Sequence, residues 1–224
     1  LLVNLADVYA AAGSDYLLTL GRVEHEVKLV AQAIQLGGYD TKIASFSTNV
    51  ETSNAYAYLP DTIAGRNTGQ KILNGNIQEM LLRAITDVHE GSRYLIVKPA
   101  ENTYLISELA RLLGDPAALE MFLNDKQVRS LASSNRVAER AIGQILDDLE
   151  SFSEKASEVR LGTYTVSGTY FADTQLLARK GPEFMQDVLE ERFSNIMASG
   201  YLHGSRINLI DRNAHRFVER MSTH

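Results

Sequence analysis

The chain contains no cysteine and no tryptophan, and only four prolines in 224 residues. Without cysteine there are no disulfides, no thiol nucleophiles and no thiolate metal sites. Without tryptophan, base stacking would fall to tyrosine and phenylalanine. No uninterrupted apolar run approaches the roughly 20 residues that a membrane-spanning helix needs. No G-x-S-x-G elbow and no H-E-x-x-H pair occurs. None of the five histidines (His25, His89, His203, His215 and His224) lies three or four residues from another. No single helix therefore offers two imidazoles to one metal.

What is present is ordinary in bulk. The chain is 45% hydrophobic and 22% charged, which is near the globular average and excludes wholesale disorder. With 22 Lys+Arg against 28 Asp+Glu the formal charge is −6. The charge is unevenly placed. From Gly200 onward Arg206, Arg212, Arg216 and Arg220 face Asp211 and Glu219, a net of +2, which leaves −8 on the rest. Arg212, Arg216 and Arg220 are spaced by four and form one guanidinium stripe on a helix. Such polarity suits head-to-tail packing of identical subunits or docking on an acidic neighbour. Nucleic acid is the less favoured target, because the whole chain is acidic and only Phe217 stands near the stripe to stack a base.

Periodicity sets out the elements. Val3 to Ala12 reads as a short helix stopped by Gly13. Arg22 to Leu36 reads as a second, with Val23, Val27, Val30, Ala31 and Ile34 on one stripe and Gly37-Gly38 as its stop. Thr41 to Phe46 is a strand. Ser47 to Thr68 is a long polar loop, a kind of segment that is usually functional or partner-bound. Gly69 to Val88 is a helix, and Tyr94 to Val97 is an apolar strand without alternation, as expected where both faces are covered. Asp115-Pro116 opens a helix with an N-cap and a first-turn proline.

From Gln127 the apolar residues step by three and four through Val128, Leu131, Asn135, Ala138, Ile142, Ile145, Leu149 and Phe152. This predicts one long heptad-patterned helix with Asn135 at a register-fixing position, facing another subunit or its own chain. Ala132, Ala141 and Leu146 widen the stripe and favour packing within the chain. Leu161 to Ala178 reads as a strand or hairpin. Gly181-Pro182 starts a helix to Ser199, Arg206 to Ile210 is a strand, and His215 to Met221 is a short terminal helix.

A Gly-Ser-Arg triplet follows a long helix and precedes a strand twice, at Gly91 and at Gly204. With β-type segments Ile43–Phe46 and Val166–Phe171 ahead of the helices, the pattern suggests two related strand–helix–strand halves. The expected architecture is mixed, helix-rich α/β. It runs as an N-terminal α/β unit (1–100), a helical segment (101–159) and a C-terminal α/β unit (160–224), which can also form one continuous domain.

Gly65-Arg66-Asn67-Thr68-Gly69-Gln70-Lys71 resembles a phosphate loop only in outline. Its glycines are one residue too close and Ile72 stands where a Mg²⁺-binding hydroxyl belongs. Gly69 and Lys71 remain the best anion contact. Asp147, Asp148 and Glu150, the densest carboxylates, cannot share one helix face and read as a solvated surface. No catalytic, cofactor-binding or metal-ligating set emerges, and no cofactor is expected. The reading is a non-catalytic structural or assembly subunit of a larger complex, such as a virion, tail, secretion or envelope machine. Its expected partners are copies of itself or other protein subunits, and its interaction residues are Arg206, Arg212, Arg216, Arg220 and Asn135. The alternatives are a small-ligand or anion-binding enzyme module with a site assembled from distant residues, and nucleic-acid binding through the arginine stripe.

Overall fold

A computed structural model describes residues 1–21, 24–50, 76–201 and 207–215. The chain runs α1 (Leu2–Ala11), β1 (Tyr16–Thr19), α2 (Glu26–Gly37), β2 (Lys42–Ser45), α3 (Ile77–Glu90), β3 (Tyr94–Val97) and α4 (Thr103–Gly114). It continues through α5 (Pro116–Asn124), α6 (Lys126–Ser133), α7 (Arg136–Asp147), α8 (Leu149–Ser157), β4 (Arg160–Tyr164), α9 (Ser167–Lys180), α10 (Pro182–Ser199) and β5 (Asn208–Ile210). The protein is thus mixed α/β and helix-rich.

All strand pairs are parallel, and the strands lie side by side in chain order, β1-β2-β3-β4-β5. Right-handed crossovers between such neighbours carry the connecting helices to one face of the sheet. The packing agrees. Leu17 and Ile43 join a small core with Ala6, Ala10, Val27, Val30, Ala33 and Ile34, which belong to α1 and α2. Leu95, Val97, Leu161 and Leu209 join the main core, built on α3 to α8 and on Ile196 of α10. These strand residues alternate with their neighbours and share one face, here called the core face.

Local signals explain the helix boundaries. Gly38 ends α2 in the left-handed region at φ 67°, where a side chain would be strained. The Asp115 carboxylate accepts from the backbone of Ala117 and Ala118 and, with Pro116, starts α5. Met80, Leu81, Ala84, Ile85 and Val88 form the buried stripe of α3.

Three expectations are corrected. The heptad run from Gln127 is three helices. Asn135 is the N-cap of α7, its side-chain oxygen accepting from Val137 and Ala138, and Asp148 caps α8 by accepting from Ser151. Consecutive helices packed on one core reproduce three-four spacing without being continuous, and the capping side chains break the run. The segment from Leu161 to Ala178 is the short β4 followed by α9, not a hairpin. The β-type segment Val166–Phe171 is therefore mostly helical, and two helices, α9 and α10, stand between β4 and β5. Among the described residues the two halves are not the same strand–helix–strand unit. Strand β1 was missed altogether, because its four residues are too few to show a period.

Candidate functional site

The second face of the sheet is unlike the first. In register it presents Tyr16 and Leu18 from β1, Lys42 and Ala44 from β2, Tyr94 and Ile96 from β3, Arg160, Gly162 and Tyr164 from β4, and Asn208 and Ile210 from β5. None of these belongs to either core cluster. Phe46 and Lys98 extend the same alternation past the ends of β2 and β3. Parallel sheets are normally covered on both faces. Among the described residues this one is covered on one.

Aromatic rings line the bare face. Tyr16 and Tyr94 meet edge to face at 6.0 Å, and Phe46 and Tyr164 do so at 5.8 Å. The Lys98 ammonium lies 5.5 Å from the Tyr164 ring centre and 6.0 Å from that of Phe46, within cation–π range. Tyr94 reaches across β4, where Gly162 has no side chain to obstruct it, and hydrogen-bonds the Asn208 side chain on β5. Burial holds the Tyr94 phenol above its ordinary pKa, and that hydrogen bond partly offsets the shift. In the register between the rings, Ala44 and Ile96 are buried although they join neither core. At its margins Leu18 and Ile210 are 48% and 39% exposed. The charges on this face are Lys42, Lys98 and Arg160, with no carboxylate among its strand positions. In a chain of net −6 that is a segregated cationic, aromatic surface.

A cavity of about 470 Å³ opens where β1 and β2 end, between α2, α3, α6 and α7. Five carboxylates line it (Glu24, Glu26, Glu79, Asp87 and Glu90), against His25 and Arg83. The hydroxyls of Ser45 and Ser47 both donate to Asp87. Burial pushes the Asp87 carboxyl up to about 6, the two serines partly offset this, and Glu90 and Glu26 add to it. His25 sits in the left-handed region at φ 59°, where its Nδ1 pairs with Glu90 at 2.7 Å. Gly21, at φ +67°, brings the end of β1 close to Ser47, and a β-carbon there would lie 2.9 Å from the Ser47 hydroxyl. The serines here address a carboxylate and the imidazole addresses another. The lining suits a cation better than an anion. Among the described residues no group of three His, Asp or Glu side chains is arranged to hold a metal ion.

A third polar cluster pins the last two helices to the sheet. Arg192 makes a bidentate pair with Asp173 at 2.8 Å per bond and lies 3.8 Å from Asp211. Asp211 accepts from the Thr165 hydroxyl at 2.6 Å, and Thr169 donates to Glu101 at 2.7 Å. These partners tie α9 and α10 to the ends of β3, β4 and β5.

Of the interaction residues expected from sequence, Arg212 stacks its guanidinium 5.4 Å from the Tyr170 ring and donates to Ser167 at 3.1 Å. Asn135 serves as the cap already described. Arg206, Arg216 and Arg220 lie outside the described residues, as do Gly69, Lys71, the loop from Glu51 to Thr68 and most of the terminal helix. The residues of the bare face were not singled out from sequence. The available signal was that the strand segments hold aromatics and cations but no acid, and it acquires meaning only once the strand order puts them on one face.

The fold and this surface define a parallel α/β protein whose sheet, among the described residues, is faced by helices on one side. The chain matches no known family model and no curated protein.

Proposed function

We propose that the chain is a non-catalytic structural subunit of a larger protein assembly, and that the bare face of its sheet is the surface through which it is built in. The observation that carries this reading is a parallel sheet covered, among the described residues, on one face, with aromatic rings, exposed Leu18 and Ile210, and three cations where a second helical layer would ordinarily lie. Interface cores are enriched in tyrosine, phenylalanine and arginine and poor in acids, as this face is. The absence of catalysis is part of the proposal. It is supported by the cavity beside β1 and β2, whose serine hydroxyls are committed to Asp87 and whose His25 Nδ1 is committed to Glu90.

Light scattering from low to high micromolar concentration tests the reading. The particle mass should rise with concentration, and the double substitution Leu18→Glu with Ile210→Glu should hold the chain as a monomer. A monomer at every concentration, or association indifferent to both substitutions, contradicts it.

A further inference from the structure

We infer that the partner seated on the bare face is a second copy of this chain, docked head to tail through helix α8 and the groove beside it. The inference rests on the assembly reading above and names its partner. Charge is the first argument. With Lys42, Lys98 and Arg160 set aside, the rest of the chain carries −9, so outside this face and the arginine-rich stretch from Gly200 onward a long polyanion such as nucleic acid would be repelled. An acidic surface of another copy is attracted to the same face and removes the like-charge repulsion between copies.

The sequence concentrates such a surface in one place. Between residues 147 and 158, Asp147, Asp148, Glu150, Glu154 and Glu158 face a single cation, Lys155, for a net of −4, and all five acids are exposed. The shape of α8 agrees with its charge. A groove runs between it and the α4–α5 corner, with Leu113, Pro116 and Leu149 for apolar lining and Glu150 and Glu154 beside them. Ser153 also lines the groove, and its buried hydroxyl oxygen has no hydrogen-bond partner among the described residues. An apolar groove with carboxylates and an unsatisfied hydroxyl complements a surface of exposed aliphatics, phenols and cations. The contact joins two different surfaces, so it is heterologous and generates a ring or an open filament rather than a twofold dimer.

Complementary charge reversal tests this. One variant carries Lys42→Glu and Arg160→Glu, the other Glu150→Lys and Glu154→Lys. Each alone sets like charges against each other and should need roughly a hundredfold higher concentration to associate. Mixed in equal amounts, each variant's reversed surface meets the other's, and the mixture should associate as the wild type does in light scattering. Recovery in the mixture also shows that both variants are folded. If the wild type associates and Leu18→Glu with Ile210→Glu prevents it, but the mixture stays monomeric, the bare face is an interface and α8 is not its partner. That result overturns this inference and leaves the assembly reading standing. If the wild type stays monomeric and binds a single-stranded oligothymidine in fluorescence anisotropy, with binding lost on Lys42→Glu and Arg160→Glu, the occupant is nucleic acid and the inference fails.

Discussion

The phenol of Tyr94 lies over Gly162 on the next strand, where a β-carbon on the glycine would overlap the ring and its oxygen. The ring bridges β3, β4 and β5 and is part of the bare face. Gly162→Ala should therefore expel Tyr94 and destabilise the protein by roughly 1–3 kcal/mol, measured by urea unfolding. In a Tyr94→Ala background the same substitution should cost far less, because the clash is gone. Equal costs in both backgrounds would mean that the glycine answers to something else.

Arg192 should be the most costly of the charged residues to remove. It is largely buried and carries a bidentate pair with Asp173, with Asp211 close by, and its guanidinium pKa is raised above its ordinary value, chiefly by the Asp173 hydrogen bond. Arg192→Ala leaves two buried carboxylates without their cation, at a cost of about 3–5 kcal/mol. Arg192→Lys should recover only part of this, since an ammonium cannot reproduce the planar fork. Denaturant midpoints of the two variants check the order.

Asn135 separates two readings of the heptad run. As the cap of α7, Asn135→Ala should lower stability by about 1 kcal/mol while Asn135→Asp is nearly neutral, and neither should change the particle mass. A residue fixing register at a helix–helix seam would instead alter the oligomeric state when replaced by leucine or valine.

Asp87 gives stability a pH dependence of unusual sign. Its carboxyl is raised from 3.8 to about 6, first by burial, so the folded state holds the proton more tightly than the unfolded chain does. Stability then falls as pH rises from about 4 to beyond about 6, by an amount on the order of 3 kcal/mol in total. Asp87→Asn, which keeps an acceptor for Ser45 and Ser47, should remove that fall. The stability difference between variant and wild type should shift in the variant's favour across this window. A difference that stays constant with pH contradicts the assignment.

Local chemistry was legible in the sequence where one residue decides the outcome. Asp115-Pro116 announces α5, Gly37-Gly38 ends α2, and the segment Thr41–Phe46 and the apolar run Tyr94–Val97 hold strands. The same evidence misled where period stood in for continuity. Val128 to Phe152 keeps a heptad step through three helices because all three bury residues in one core, and the breaks are written in Asn135 and Asp148 as caps. Thr163 to Tyr170 is rich in strand formers, yet from Ser167 onward it turns helical, where Thr169 and Asp173 are held by Glu101 and Arg192.

The bare face was beyond sequence reasoning for a different reason. The apolar run Tyr94–Val97 implies that Leu95, Ile96 and Val97 are buried, as they are, but not which of them face the helical core, because Ile96 is as apolar as its neighbours. In the fold Leu95 and Val97 enter the core, whereas Ile96 lies on the other face between Phe46 and Gly162 in the register. Only the strand order distinguishes the two, and that order is set by crossovers, not by composition.

The central claim is that the bare face is buried when the chain assembles. Hydroxyl-radical labelling of the tyrosines, read by mass spectrometry at dilute and at high concentration, tests it residue by residue. Tyr16, Tyr94 and Tyr164 should lose most of their labelling on association, while Tyr9 and Tyr201, which are 55% and 82% exposed and are not among this face's strand positions, should keep theirs. Unchanged labelling of the three face tyrosines in the associated state would contradict the account.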